Sequence, residues 1–353
     1  MIVHIFASEN TFVYPFIQFL TDCFDDKDHL VLICTDVCRI CFPKDKEDIL
    51  TPINDVGKIL KSADKIICHS LFNPKLTIYM SLYKSLLNKT YWVIWGGDLH
   101  FYESANTSIK YRVLEYFRRR FIKNIAGVCT LVDGDFDLLI KWYKTYAKKF
   151  EAIYAISASF MSDILIQSEK EKTDNKRRIL VGNSATKSNL HKYVLNQIKD
   201  KNIIFDEIIC PLSYGDSSYA KEIQDYGNEL FGKKFVPIRE YMSQEKYVDL
   251  LNSIDVAILY NDRQQALGNI YILTLLKKII YLNPNSETYN QLVKKEGYHY
   301  YSLQVTEGLF FRDEIELELN QKKMILKNSI DNQYSIWNKI FKDDLRTRRQ
   351  FNG

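Results

Sequence analysis

The stretch "YWVIWGGDLH", Tyr91–His100, decides how the first half of the chain folds. It opens with aromatic and β-branched residues and little polar alternation, the signature of a strand buried on both faces. Two glycines, an aspartate and a histidine then stop the run. With only 13 glycines in 353 residues, two in succession mark either a tight turn or a point where a ligand approaches the backbone. A buried strand running into a polar loop is the first half of a βα unit.

The same rhythm extends outward. Apolar runs at Ile2–Phe6, Leu30–Cys34, Lys65–Cys68, Trp92–Trp95 and Val128–Val132 alternate with helical patterns at Phe12–Leu20, Pro74–Leu87, Ile109–Lys123 and Phe136–Ala147. The charged segment "QSEKEKTDNKRR", Gln167–Arg178, reads as a linker. Beyond it, strands are expected at Ile179–Val181, Glu207–Cys210, Phe235–Pro237, Val256–Leu259 and Ile279–Leu282. Helices are expected at Leu190–Ile198, Tyr219–Phe231, Gln244–Leu251, Asn269–Leu276 and Thr288–Glu296, with a mostly helical tail over Leu317–Asp344. The pattern predicts an α/β protein with a domain over 1–166, a linker over 167–178, a second domain over 179–325 and a helical tail over 326–353. Two doubly wound halves form a cleft, the tail packs back, and ligands collect at the C-terminal ends of the strands.

Composition narrows the function classes. Hydrophobic residues at 46% and charged residues at 26% are ordinary for a soluble globular protein. The longest apolar candidates, Thr11–Leu20 and Asn269–Leu276, run about 10 residues and suit buried helices rather than a bilayer span. "MIVHIFASEN" lacks the layout of a secretion signal. The seven cysteines are scattered; Cys38 and Cys41 form a C-x-x-C without a second pair at zinc spacing. A reduced, cytoplasmic protein is expected. A net charge of +4 does not argue for nucleic acid. One basic cluster stands out: "IKYRVLEYFRRRFIK", Ile109–Lys123, carries Arg118, Arg119, Arg120 and Lys123 beside aromatics at helical spacing. It is either a solvated helix face packed on a sheet or a helix lying on anionic lipid.

Three loops in the second half carry chemistry. In "RILVGNSATKSNLH", Gly182 permits a tight turn, and Asn183, Ser184 and nearby N–H groups can donate to a phosphate at the following helix N-terminus. The stretch matches neither a Walker A nor a G-x-G-x-x-G pattern. In "AILYNDRQQALGNIYILTLL", a buried strand gives way to a polar loop and then an apolar helix. Arg263 offers a bidentate cation for a pyrophosphate, Gln264 and Gln265 suit sugar hydroxyls, and Gly268 and Asn269 open a helix end that attracts anions. In "CPLSYGD", Tyr214 either stacks on a base, bonds a phosphate or shields the core.

In the first half, "CHSLFNPKL" places His69 at a strand end, with Asn73 opening a helix, and "WGGDLH" places Asp98 and His100 at the next strand end. His69 and Asp98 are candidates for a general base and its orienting partner, or for binding acceptor hydroxyls.

Taken in order, "HSLFNPKL", "WVIWGGDLHFYE", "ILVGNSATKSNLH", "YVDLLNSIDVAI" and "RQQALGNI" resemble the Fuc4NAc transferases of enterobacterial common antigen synthesis, glycosyltransferase family 56. The family word usually reads Asp-Leu-Tyr where this chain has Asp98-Leu99-His100. The resemblance implies a GT-B architecture of two Rossmann-like domains. It implies a dTDP-linked deoxyamino sugar as donor and a polyprenyl-diphosphate-linked glycan as acceptor. It places the work on the inner face of the plasma membrane, with no metal and no other cofactor. Carried over by position, Gly182–Ser184 and Arg263–Asn269 would hold the donor. His69, Asn73 and Asp98 would lie near the acceptor. The residues themselves add Gly96, Gly97 and His100 as acceptor-side candidates, with Asp98 expected as the acceptor-activating base, His69 as the alternative base, and Arg263 neutralising the departing diphosphate. The rival readings are a GT-B enzyme for another nucleotide sugar or acceptor, and a nucleotide-sugar-binding protein without turnover.

Overall fold

The computed structural model describes residues 1–9, 11–35, 38–41, 49–51, 53–104, 106–154, 157–170, 172, 174–303 and 308–344. The chain divides into two compact units. The first is Met1–Ser157 with Asn328–Gly353, and the second is Ala158–Lys327.

The first unit holds an eight-stranded sheet. Its strands are β1 (Ile2–Phe6), β2 (His29–Cys34), β3 (Cys38–Cys41), β4 (Ile49–Thr51), β5 (Lys65–His69), β6 (Thr90–Val93), β7 (Gly127–Thr130) and β8 (Lys148–Glu151). They lie in the order β4-β3-β2-β1-β5-β6-β7-β8. All pairs are parallel except those made by β3. Val3, Ile5, Ile66, Cys68 and Trp92 face one apolar layer, and Phe6, Ile67, Tyr91 and Val93 face the other. Burial on both faces is why these strands read as continuous apolar runs. The short β3 and β4 escaped the sequence reading. So did β8, "KKFE", whose mostly exposed lysines suit an edge strand that must resist further pairing.

The second unit holds a parallel five-stranded sheet. Its strands are β9 (Arg178–Val181), β10 (Glu207–Pro211), β11 (Phe235–Ile238), β12 (Val256–Leu259) and β13 (Ile279–Leu282), in the order β11-β10-β9-β12-β13. The chain leaves β9 toward β10 and β11 and returns to the opposite side of β9 at β12. The strand order therefore reverses between β9 and β12, the position where open α/β sheets bind ligands.

Several segments differ from expectation. The predicted linker, 167–178, lies inside the second unit. Several of its charges are paired: Lys172 with Asp255 at 2.6 Å, and Arg178 with Asp174 and Glu207 at 2.7 Å each. The unit boundary falls instead at Ser157, before an Ala158–Ser168 helix that the sequence reading did not assign. The expected tail divides too. The Glu314–Lys327 helix belongs to the second unit and the Ile330–Phe341 helix to the first. There Lys65 Nζ donates to the carbonyls of Ile340 at 2.6 Å and Phe341 at 2.8 Å, satisfying a helix end that would otherwise be orphaned. Trp337 Nε1 donates to Ile153 O at 3.0 Å. The single helix expected over Pro74–Leu87 is two, Pro74–Ser81 and Lys84–Leu87. The last expected helix of the second sheet becomes a short turn, Glu287–Tyr289, continuing as a π-helix over Asn290–Lys295.

Candidate functional site

The loops that leave β9 and β12 meet at the strand-order reversal. Gly182 adopts φ +71°, and a Cβ there would stand 2.4 Å from His191 Nε2, so only glycine fits without displacement. Asn189 is fully buried and organises the turn. Its Oδ1 accepts from Asn183 N at 2.9 Å and from Asn261 Nδ2 at 3.0 Å, and its Nδ2 donates to Thr186 Oγ1 at 2.8 Å and Ser184 O at 3.0 Å.

Gln265 stitches the two loops together. Its Nε2 donates to Ser184 Oγ at 2.9 Å and lies 3.1 Å from both Thr186 Oγ1 and Asn183 Oδ1. Its Oε1 accepts from Ser188 Oγ at 2.6 Å. The hydroxyls of Ser184, Thr186 and Ser188 are spaced at 3.1 and 3.0 Å. These groups saturate one another, yet each hydroxyl can rotate its proton toward an incoming oxygen.

The β10 loop closes a third side. Ala185 N donates to Tyr214 O at 2.8 Å and Asp216 N to Ala185 O at 2.9 Å. A Cβ on Gly215, at φ +111°, would collide with Ala185 O at 2.5 Å. Asn183 Nδ2 donates to Tyr214 Oη at 2.8 Å, and Tyr214 as a residue is 54% exposed. Asp216 caps its own helix through Ser218 N and Tyr219 N. The helix Leu267–Leu275 has no such cap: Ala266 precedes it in the left-handed region and contributes no side-chain bond. Gly268 and Asn269 lie in its first turn, where the amide end favours an anion. Asn269 Nδ2 donates to Tyr247 Oη at 2.9 Å. Gln264 is buried and its Oε1 has no hydrogen-bond partner. Arg263 stands half-buried on the same loop.

The predicted donor residues thus gather on converging loops of one unit. The structure adds Thr186, Ser188, Asn189 and Tyr247 to these loops, beside Asn261 of the polar segment already singled out. The signal for the first three is "TKSN", four polar residues between a buried strand and the first apolar helical position.

The first-unit residues take different roles from those expected. Asp98 is 1% exposed, and its carboxylate is filled: Oδ1 accepts from Trp95 N at 2.9 Å and Leu99 N at 3.1 Å, Oδ2 from Trp92 Nε1 at 2.8 Å and Leu71 N at 3.0 Å. A carboxylate holding four donors organises two loops and has no lone pair directed at a substrate proton. Gly96, at φ +78°, makes the turn that brings it there, and Gly97 N donates to Trp95 O at 3.0 Å. His69 is fully buried, with Nδ1 2.5 Å from Tyr154 Oη and Nε2 3.0 Å from His4 Nδ1, so neither nitrogen is open to an acceptor. Asn73 spends its amide on structure, accepting from Leu76 N at 3.0 Å as a helix cap and donating to Cys34 O at 2.9 Å. His100 Nδ1 lies 3.0 Å from Glu103 Oε2.

The basic helix, Ile109–Asn124, also corrects the sequence reading. Arg118 is buried and donates to the carbonyl of Asp98, so it cannot face a membrane. Arg119 pairs with Glu115 at 3.0 Å over the Tyr102 and Tyr143 rings. Arg120 and Lys123 are exposed, with Arg120 Nε also bonded to Ser81 O at 2.7 Å. Among the described residues, no helix is long and apolar enough to cross a membrane. None of them forms a group of three His, Cys, Asp or Glu residues placed to hold a metal ion.

The 4-alpha-L-fucosyltransferase family, glycosyl transferase group 56, matches residues 37–319. A glycosyltransferase structure from Rickettsia africae ESF-5 is similar with a TM-score of 0.64 at 12% identity, over 100% of this chain and 99% of that one. The N-terminal domain of trehalose-6-phosphate phosphatase from Candida albicans gives 0.64 at 11%, over 96% of each chain. An E. coli structure, described as trehalose-6-phosphate bound with UDP-2-fluoro glucose, gives 0.59 at 9%, over 98% of this chain and 99% of that one. At such identities the likeness shows the fold alone: two Rossmann-like units of the GT-B type.

Proposed function

The chain belongs to the 4-alpha-L-fucosyltransferase family, glycosyl transferase group 56, and from that membership we propose that this glycosyltransferase moves a Fuc4NAc-like deoxyamino sugar from a dTDP-sugar to a polyprenyl-diphosphate-linked saccharide. The observation that carries the donor half is the polar nest at the β9–β12 reversal, facing a helix that starts without a cap at Leu267. Departure of a nucleoside diphosphate builds negative charge, and preorganised N–H, hydroxyl and guanidinium donors stabilise it. Gly182, Asn183 and Ser184 would face the diphosphate from one side, with Arg263, Gly268 and Asn269 on the other. Gln264 and Gln265 would meet the sugar, and Tyr214 the base.

The acceptor reading rests on the loops after β5 and β6, which Asp98 clamps together; Asn73, Gly96, Gly97 and His100 line them. Membrane proximity is supported by the outer face of the Ile109–Asn124 helix, where exposed Ile109, Val113 and Tyr116 accompany Lys110, Arg112, Arg120 and Lys123. Apolar and basic side chains on one face suit an anionic lipid surface. The test is direct. Thermal shifts with dTDP, UDP and GDP rank the base, and transfer from dTDP-Fuc4NAc is then assayed with a lipid-linked and a lipid-free acceptor. A shift with UDP alone, or equal rates with both acceptors, would sink the corresponding half.

A further inference from the structure

Four hydrogen bonds in the first unit form one continuous line. His29 Nδ1 lies 3.0 Å from His4 Nε2, His4 Nδ1 lies 3.0 Å from His69 Nε2, and His69 Nδ1 lies 2.5 Å from Tyr154 Oη. Trp95 Nε1 completes the line, donating to Tyr154 Oη at 2.8 Å. The histidines occupy adjacent strands β2, β1 and β5 at staggered heights. His29 pairs with Ile2, two residues before His4, and His69 pairs with Phe6, two residues after it. The line therefore climbs the sheet from the strand starts to the C-terminal edge. Its middle is sealed, with His4 and His69 at 0% exposure, while His29 at one end retains 4% and Tyr154 at the other 8%.

The direction of every bond follows from donor counting. An indole N–H only donates, so Tyr154 Oη accepts from Trp95. Among the described residues Tyr154 has no other acceptor, so its O–H donates to His69 Nδ1. A neutral His69 then carries its proton on Nε2 and donates to His4 Nδ1, and His4 Nε2 likewise donates to His29 Nδ1. Burial holds all three rings neutral, His29 down to about 4. The covering helices contribute Phe16, Trp337 and Phe341, which carry no charge. Charge reaches the line at its ends, from Asp25, Asp28 and the amino terminus at His29 and from Asp98 at Tyr154.

Resting on the glycosyl-transfer reading above, we propose that this line is a proton relay that removes the acceptor hydroxyl's proton, with Tyr154 as its entry and His29 as its exit. In transfer, the acceptor oxygen bonds to the anomeric carbon, the anomeric carbon–diphosphate bond breaks, and the acceptor loses one proton. Tyr154 Oη takes that proton on its remaining lone pair while passing its own to His69 Nδ1. The Nε2 proton of His69 moves to His4 Nδ1, that of His4 to His29 Nδ1, and that of His29 to water. One proton enters and one leaves, and each ring ends as the other neutral tautomer. Tyr154 touches the reacting atom. His69, His4 and His29 act through it, which explains how a fully enclosed histidine contributes to chemistry it cannot contact.

Two readouts test this. Nitrogen-15 NMR of the histidine-labelled enzyme without substrate should show His4, His29 and His69 neutral and protonated at Nε2; a proton on His4 Nδ1 overturns the relay. Kinetics use whichever nucleotide sugar the wild type turns over, so failure of the dTDP assignment alone leaves the relay testable. Tyr154→Phe and His4→Gln should each lower turnover about 100-fold with the donor KM within about two-fold, and should change the proton inventory in mixed light and heavy water. Tyr154→Phe removes one oxygen and keeps the ring packing, so it guards against a misfolded His4 variant. Wild-type turnover and an unchanged inventory in Tyr154→Phe would overturn the proposal.

Discussion

Asp98 Oδ2 accepts a hydrogen bond from Leu71 N at 3.0 Å, across 27 positions of sequence, so the loop after β6 holds the loop after β5. An acid placed this way is a brace. Replacing it by asparagine would turn an N–H₂ group toward two of the four backbone and indole donors that now share the carboxylate. We expect Asp98→Asn to cost about 3 kcal/mol of first-unit stability and to red-shift the tryptophan emission, measured by urea unfolding. Unchanged stability with abolished transfer would restore Asp98 as a base.

Gly182→Ala should disrupt the donor nest from its base. The residue sits at φ +71°, and its new methyl would press on His191 Nε2. Strain of about 1–3 kcal/mol is expected, with a loss of nucleotide binding measurable by calorimetry. A variant that binds as the wild type does would show that the turn relaxes without moving Asn183 and Ser184.

Arg263 stands on the β12 loop, just before the uncapped helix end. On the proposed reading, in which Arg263 neutralises the departing diphosphate, Arg263→Ala should lower turnover by about 100- to 1,000-fold with a much smaller change in donor KM, because such a charge matters most in the transition state. Transfer at wild-type rates would remove Arg263 from the donor site.

Acid should weaken both units. Burial pushes His29 and His191 down to about 4. Above about pH 6.5 the folded and unfolded chains both carry these rings neutral. Between there and about pH 4 the unfolded chain binds protons that the folded one refuses, so stability falls as pH drops. Below about 4 both states are protonated and the loss levels off. Each ring accounts for about 3 kcal/mol across that window, readable as urea midpoints against pH. His29→Gln should lessen the first unit's share, with the buried His4 and His69 supplying the rest.

Much of this organisation is legible in the chain. Strands buried on both faces leave long apolar runs, and polar residues between such a strand and an apolar helix mark a ligand-side loop, as at Asn261–Gly268. The legible signals are local ones. His4, His29 and His69 lie 25 to 65 positions apart, and only the order of β2, β1 and β5 makes them neighbours. Arg118 reads as one of three adjacent surface arginines until its guanidinium is seen turned inward onto the Asp98 carbonyl. Asp98 stands at the expected strand end, and the four donors on its carboxylate are what the sequence does not show. Which amides a carboxylate gathers depends on where Leu71 and Trp92 arrive, and spacing does not report that.

The grip of Lys65 on the carbonyls of Ile340 and Phe341 bears on the order of events at the ribosome. The strands of the first unit emerge early, but one face of their sheet, with the histidine row against it, lacks Trp337 and Ile340 until the whole second unit has been synthesised. Through that interval only the early Val13–Cys23 helix, through Phe16, Phe19 and Leu20, covers part of that apolar face. The first unit is finished only once the Ile330–Phe341 helix has been made, and the second unit can fold before it.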